Sequence, residues 1–206
     1  QTFRMKDFFE QKRPHNGFSY AEYKEAWREG KDRSAGDLDR DERKMLHYLR
    51  YNWERSLAVE NEFDVSDNLR SAVEGIDEPQ LWMAITEPWC GDSAFCLPVI
   101  RAAAERSDEV TLRVLHRDDN LDIMDQYLTG GSRSIPKLVA FSQEGSERFQ
   151  WGPRPDEGQR LFDHLKEQGR DKMEIVEELI SWYEDGGYEN VDEELVETIQ
   201  SDRAEA

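Results

Sequence analysis

A continuous apolar segment in the middle of the chain constrains the fold more than any other feature. Residues 81–86 are Leu, Trp, Met, Ala, Ile and Thr. An apolar run of this length without polar alternation is typical of a strand buried on both faces. Such a strand needs helices on each side of its sheet, so the segment predicts an α/β fold.

The segments after this strand alternate between helical and extended patterns. A turn at residues 87–93 separates the first strand from a helix, and the last two strands form a hairpin across residues 143–145. This order predicts a parallel pair of strands joined to an antiparallel pair. The predicted elements are a helix over 93–105, a strand over 110–115, a helix over 121–128, strands over 135–141 and 147–151, and a helix over 156–168.

Further helices are predicted on both sides of this region. Ser19 followed by Glu22 is a capping box, residues 39–59 form an amphipathic helix, and Ser66 caps a short helix over 67–73. The tail carries an apolar stripe, and two adjacent glycines divide it into two helices. We therefore divide the chain into an N-terminal helical extension (1–58), an α/β domain (59–168) and an acidic helical tail packed on that domain (169–206).

The charge balance limits the possible partners. The 206 residues include 46 acidic and 27 basic side chains, a net charge of −19. Nucleic acids and anionic membranes are recognised by clustered Lys and Arg, so neither is an expected partner. The excess of carboxylates, with only 8 Lys among the 27 basic residues, fits either a protein of concentrated salt solutions or an ordinary acidic cytosolic protein.

The acidity is concentrated after the first helices. Residues 1–58 carry 13 basic and 11 acidic groups, residues 59–168 carry 11 and 22, and residues 169–206 carry 3 and 13. An acidic surface around a reactive thiol would repel anionic thiols at low salt. We therefore expect exchange with such thiols to become faster as ionic strength rises.

Two cysteines and four scattered histidines exclude a disulfide-rich scaffold and make a metal site improbable. We expect no cofactor. No stretch approaches 18 apolar residues, and the first residues lack the apolar region of a signal peptide. These features predict a cytoplasmic protein without a transmembrane helix.

The turn after the first strand carries the most informative motif. Residues 89–93 are Trp-Cys-Gly-Asp-Ser, and Pro98, Ile135-Pro136 and Gly152 follow at wider spacing. This arrangement resembles the thioredoxin family, whose motif is W-C-x-x-C, with Ser93 in place of the second cysteine. Over residues 60–168 the resemblance implies a thioredoxin-like fold, a central mixed sheet flanked by helices. It also implies a cis peptide bond before Pro136.

A closer resemblance, to the branch called thioredoxin-like family 9, extends to the whole chain. As in this branch, a helical extension precedes the domain and a helical tail follows it. The segments that carry the resemblance are W-C-G-D at 89–92, L-H-R-D-D-N at 115–120, G-G-S-R-S-I-P-K at 130–137, W-G-P-R-P at 151–155 and W-Y-E-D-G-G at 182–187.

Cys90 is the candidate nucleophile. It precedes a predicted helix, where unpaired N–H groups and the helix dipole favour a thiolate. Ser93 is one turn away and can donate a hydrogen bond to that thiolate. Asp92 opposes ionisation or caps the helix. On balance we expect a moderately lowered pKa for Cys90; the alternative is an inert buried thiol.

Cys96 is a weak candidate for a resolving thiol. Six helical residues separate the two sulfur-bearing positions by about 9 Å along the axis, with the side chains on different faces, whereas a disulfide needs Cα atoms within about 7 Å. A bridge would therefore require local unwinding of the helix. We expect Cys96 to be a small buried core residue.

Other residues are assigned to the site through the resemblance. Pro136 is implied to be catalytic with Cys90 and Ser93, and the backbone of Ile135 is implied to bind an extended client. Trp151 could instead be a packing residue. Arg154 could pair with Asp92 or favour the thiolate, although a solvated surface group is the default expectation for a lone arginine. We expect Glu87 to be an exposed charge. The residues assigned to substrate binding are Trp89, Gly91, Asp92, Ile135, Trp151 and Arg154.

The leading functional hypothesis is a thiol–disulfide oxidoreductase or isomerase that uses Cys90 alone, with protein or low-molecular-weight thiols and disulfides as partners. One alternative is a non-catalytic binding or redox-sensing protein. A weaker one is a thiol peroxidase using Cys90 and Cys96, because Glu87 stands where the peroxidase motif T-x-x-C has threonine. The sequence does not predict an oligomeric state.

Overall fold

A mixed four-stranded sheet lies at the centre of the protein. The structure is a computed structural model and describes residues 5–205. The strands are β1 (Gln80–Thr86), β2 (Val110–His116), β3 (Lys137–Ser142) and β4 (Glu147–Trp151), in the order β2-β1-β3-β4. β1 and β2 are parallel, while β3 is antiparallel to β1 and to β4. The predicted combination of a parallel and an antiparallel pair is confirmed.

The helices agree with the sequence prediction except near a few boundaries. α1 was not predicted, and α6 ends at Met124 rather than at residue 128. β3 begins after Pro136 and not at residue 135. The helices are α1 (Asp7–Glu10), α2 (Tyr20–Lys31), α3 (Arg40–Glu62), α4 (Asp67–Glu74), α5 (Gly91–Ala104), α6 (Leu121–Met124), α7 (Asp156–Glu167), α8 (Lys172–Glu184) and α9 (Asn190–Glu205), with a short 3₁₀ helix at Gly187–Glu189.

β1 is buried along its whole length because hydrophobic clusters cover both faces of the sheet. Trp82 packs with α4, α5 and the tail on one face. Met83 and Ile85 point to the other face, where they contact Phe8 and Phe9 of α1. The side chains of adjacent strand residues point to opposite faces, so a strand covered on both sides is apolar at consecutive positions, as β1 is from Leu81 to Ile85.

The N-terminal extension packs directly against the helix that follows Cys90. Asp39 forms a capping box with Glu42 and begins α3, which lies against α5. The predicted boundary at residues 58/59 lies inside α3. Asn52 of α3 is 1% exposed, and its Nδ2 donates a hydrogen bond to the carbonyl of Pro88 at 3.1 Å. The extension thereby holds the turn that carries Cys90.

The C-terminal tail is also part of the packed structure. The ring of Tyr183 in α8 stacks on Phe95 of α5, with centroids 4.7 Å apart. Asp192 in α9 accepts hydrogen bonds from the backbone N–H and the hydroxyl of Ser66. These contacts place α8 beside the first turns of α5, where the candidate site lies.

Candidate functional site

Cys90 lies where the end of β1 turns into α5. It is the N-cap residue of that helix, and its thiol donates a hydrogen bond to the carbonyl oxygen of Ile135 at 3.3 Å. The Ile135–Pro136 peptide bond is cis, as the thioredoxin resemblance implied. The candidate nucleophile and the cis-proline segment, 45 residues apart in sequence, are therefore in direct contact.

A glycine allows β4 to approach the cis-proline segment closely. Gly152 has φ 104°, in the region that side chains rarely adopt. A Cβ there would lie 2.3 Å from the carbonyl oxygen of Pro136. Because no side chain larger than hydrogen fits at that distance, glycine at position 152 is a steric requirement of the site.

A buried ion pair lies beside Cys90. Two nitrogens of Arg154 donate to the carboxylate of Asp92, at 3.1 and 2.7 Å, so Arg154 is paired with Asp92 and is not the solvated surface group that was the default expectation. Each side chain is 14% exposed. The hydroxyl of Tyr183 donates to the same carboxylate at 2.8 Å and lies 3.5 Å from the sulfur of Cys96. Asp92 thus links Arg154 to the tail and does not cap α5.

The expectation of a lowered pKa for Cys90 is wrong for this arrangement. Burial, and after it the charge of Asp92, raise the pKa of Cys90 to about 11. Arg154 and Ser93 lower the pKa by smaller amounts. The thiol also donates to a carbonyl oxygen, a contact that favours its protonated form. The position at a helix N-terminus is therefore outweighed by loss of solvent around the sulfur.

Ser93 and Cys96 are both buried on α5. The hydroxyl of Ser93 is close enough to lower the pKa of Cys90, but it makes no hydrogen bond of ordinary geometry within residues 5–205. Cys96 is 0% exposed and belongs to the core, as expected. Both thiols are free, and α5 is continuous between them.

Glu87 is not the exposed charge that was expected. It is 7% exposed and accepts hydrogen bonds from Nδ1 of His116, at 3.2 Å, and from the backbone N–H of Asp118, at 2.9 Å. The hydrogen bond to Glu87 raises the pKa of His116. Because β1 and β2 are parallel, their C-terminal ends lie side by side, which brings Glu87 and His116 together.

The remaining predicted site residues occupy different environments. Trp89 is half-buried, and the guanidinium carbon of Arg117 lies 4.7 Å from its ring centroid. Gly91 borders open space. Trp151 is 6% exposed in the core, and its indole N–H donates to Glu194 at 2.7 Å, which fits the packing interpretation. The backbone carbonyl of Ile135 accepts the hydrogen bond from the thiol of Cys90.

Sequence reasoning missed three residues that shape the site. They are Asn52, Tyr183 and His116, which reach the turn or Asp92 from α3, α8 and β2. The signals for Tyr183 are its place in the apolar stripe of the tail and in the W-Y-E-D-G-G segment, and neither connects it with Asp92. Between residues 5 and 205, the structure has no group of three or more His, Cys, Asp or Glu side chains that could hold a metal ion. In the same part of the chain, no helix combines the length and apolar character needed to cross a membrane.

The mixed sheet, the cysteine at the N-terminus of α5 and the facing cis-proline define a thioredoxin-fold protein. A family model, Thioredoxin_9, described as thioredoxin, matches residues 40–166. The chain belongs to this family. The match begins at the start of α3, earlier than the resemblance to thioredoxins in general, and it ends before the tail.

Solved structures share the fold at low sequence identity. The crystal structure of an HIV epitope-scaffold has 16% identity and a TM-score of 0.57, covering 91% of this chain and 94% of its own. A protein of unknown function from Pseudomonas aeruginosa has 14% identity and a TM-score of 0.53, covering 89% of this chain and 98% of its own. No curated protein matches the sequence.

Proposed function

We propose that the protein is a thiol–disulfide oxidoreductase or isomerase that acts through Cys90 alone. The observation that carries the proposal is the contact between the Cys90 thiol and the Ile135 carbonyl, directly before cis-Pro136. A disulfide substrate that adds to this backbone edge displaces the thiol from the carbonyl and meets the sulfur at the same point.

The proposed exchange needs no reactants other than thiols and disulfides. Cys90 loses its proton, and its sulfur attacks one sulfur of the substrate disulfide, forming a mixed disulfide and releasing the other sulfur as a thiolate that takes up the proton. The thiolate of a second thiol then attacks the mixed disulfide and restores Cys90. Ser93 occupies the position of a second cysteine, so the mixed disulfide is resolved from outside the protein.

Opening of the site is a part of this mechanism. With the pKa of Cys90 at about 11 and its surface 9% exposed, the thiol is a poor nucleophile while it is bonded to Ile135. Arrival of substrate removes that hydrogen bond. Arg154, which lowers the pKa of Cys90, then contributes to stabilising the thiolate.

The test compares Cys90→Ser with Cys96→Ala, since both remove a buried sulfur from α5. Reduction of a glutathione mixed disulfide and reactivation of a scrambled-disulfide protein are followed with an external thiol present. We expect Cys90→Ser to give the blank rate and Cys96→Ala to retain activity. Equal activity of Cys90→Ser and the unmodified protein would overturn the proposal.

A second candidate is a non-catalytic binding or redox-sensing protein, which is favoured by the burial and raised pKa of Cys90. It predicts no activity on either substrate, together with slow oxidation of Cys90 by disulfides. The same assays therefore separate the two candidates.

A further inference from the structure

A cavity of about 480 Å³ lies beside the first turn of α5. Gly91 and Asp92, the residues directly after Cys90, line it, and no atom of the surrounding described chain lies within 4 Å of where a Cβ at Gly91 would be. The volume is in the range of pockets for small ligands. The walls are apolar side chains of α7 and α8, namely Phe162, Ile175, Val176, Leu179 and Ile180.

The charges around this cavity are opposite in sign to the net charge of the protein. Lys166, Arg170 and Lys172 line it, and Arg154 neutralises Asp92. Arg170 is paired with Glu174 at 3.0 Å. Lys166 and Lys172 form no ion pair with any residue the structure describes. Two uncompensated ammonium groups beside an apolar wall fit an organic anion.

We propose that this cavity binds the organic part of small disulfides and thiols that combine a carboxylate with an apolar group. The apolar part lies against α7 and α8, the carboxylate faces Lys166 and Lys172, and the sulfur is directed to the Gly91 end, next to Cys90. The inference rests on the proposed exchange at Cys90 and names its substrate class. α8 lies outside the matched residues 40–166, so part of the selectivity resides in the tail.

The kinetic test uses two aromatic disulfides of opposite character. Dithiobis(nitrobenzoate) carries two carboxylates, and dithiodipyridine is neutral near pH 8. The rates at which each releases its thiol on reaction with Cys90 are measured, with Cys90→Ser as the blank. In the double variant Lys166→Gln/Lys172→Gln we expect the ratio of anionic to neutral rate to fall about fourfold, because each exposed charge contributes a factor of about two.

Salt and a matched pair of variants on α8 complete the kinetic test. Added salt should lower the ratio of the unmodified protein toward that of the double variant. Val176 lines the cavity and is 38% exposed, so Val176→Glu should lower the ratio as well. Met173 is 58% exposed on the same helix but does not line the cavity, so Met173→Glu should lower the ratio less than Val176→Glu does.

Binding without chemistry separates this inference from the proposed function. Anilinonaphthalene sulfonate, an apolar anion, is titrated into the Cys90→Ser variant with and without the two lysine substitutions, and its fluorescence reports binding. Weaker binding of the dye after substitution of the lysines supports the cavity proposal. If neither disulfide reacts with Cys90, that failure overturns only the proposed exchange function. If exchange is normal, but the rate ratio and the probe binding are both unchanged by the substitutions at the two lysines and Val176, the cavity proposal alone is overturned.

Discussion

Substitution of Asp92 by Asn should make Cys90 more reactive, although it breaks a buried ion pair. The substitution removes the negative charge that is second only to burial in raising the pKa of Cys90. It also leaves the guanidinium of Arg154 without its partner, and that cation lowers the pKa of Cys90. Both changes favour the thiolate, so the sign of the effect is fixed.

The size of the effect follows from the raised pKa. The pKa of Cys90 is raised from 9.0 to about 11, the balance of burial and Asp92, which raise it, and of Ser93 and Arg154, which lower it. For a loss of the carboxylate that lowers this pKa by about one unit, the thiolate fraction near pH 8 rises about tenfold. A less basic thiolate is also less nucleophilic, with a Brønsted coefficient of about 0.45. The net expectation is about a threefold faster alkylation.

The assay is the rate of carboxamidomethylation by iodoacetamide, a neutral reagent, as a function of pH. Adducts at Cys90 and Cys96 are counted separately by mass spectrometry, because labelling of the fully buried Cys96 reports global opening. Asp202→Asn is the matched control, since Asp202 pairs with Arg148 at 3.1 Å and is 8% exposed, but lies at the other end of the sheet. An unchanged or slower rate at Cys90 in Asp92→Asn would refute this account of its pKa.

Three further variants test the site. Ser93→Cys should add a resolving thiol and create insulin-reducing activity that Ser93→Ala lacks; no gain would favour a binding protein. Gly152→Ala should lower the free energy of unfolding, measured in denaturant, by about 3 kcal/mol or more. Gly131 also has a positive φ, 78°, but no atom of the surrounding described chain lies within 4 Å of its added Cβ, so Gly131→Ala should cost about 1 kcal/mol. Equal losses of stability in the two variants would contradict the predicted overlap at position 152. Glu87 raises the pKa of His116 in the folded protein above its unfolded-state pKa of 6.5. The pair therefore contributes its full stabilisation at pH values below 6.5 and loses it as the pH rises through the folded-state pKa. The destabilisation by Glu87→Gln should therefore be larger near pH 6 than near pH 8, and a pH-independent difference would contradict this.

The parts of the fold that sequence could predict are those fixed by local chemistry. The capping residues Ser19, Asp39 and Ser66 each begin a helix, and the apolar run of β1 indicates burial on both faces. The position of Cys90 against a cis-proline followed from the family resemblance, because the motif and its spacing were both present. Each of these features depends either on residues that are close in the sequence or on motifs whose arrangement is known from the family.

The features that sequence reasoning got wrong depend on distant residues. The helix N-terminus, an interaction within one turn, favours a lowered pKa for Cys90, but burial of the thiol in a cluster with β1, α6 and Ile135 decides the direction. Glu87 was judged as an isolated charge, but His116 at the end of the adjacent strand satisfies it. Asn52 and Tyr183 are 38 and 93 residues from Cys90, so no local pattern connects them with it.

The net charge of −19 is a poor guide to the field at the thiol. At about 0.1 M salt, charges further than about 10 Å apart are largely screened. Among the charged side chains that line the cavity beside Cys90, Arg154 is paired with Asp92 and Arg170 with Glu174, which leaves Lys166 and Lys172. These nearby cations dominate for a substrate in the cavity, while the acidic tail acts mainly at low salt. We therefore expect exchange with apolar carboxylate disulfides to slow as salt rises, the opposite of what the overall charge suggested. Exchange with anionic thiols too small or too polar to enter the cavity should still accelerate.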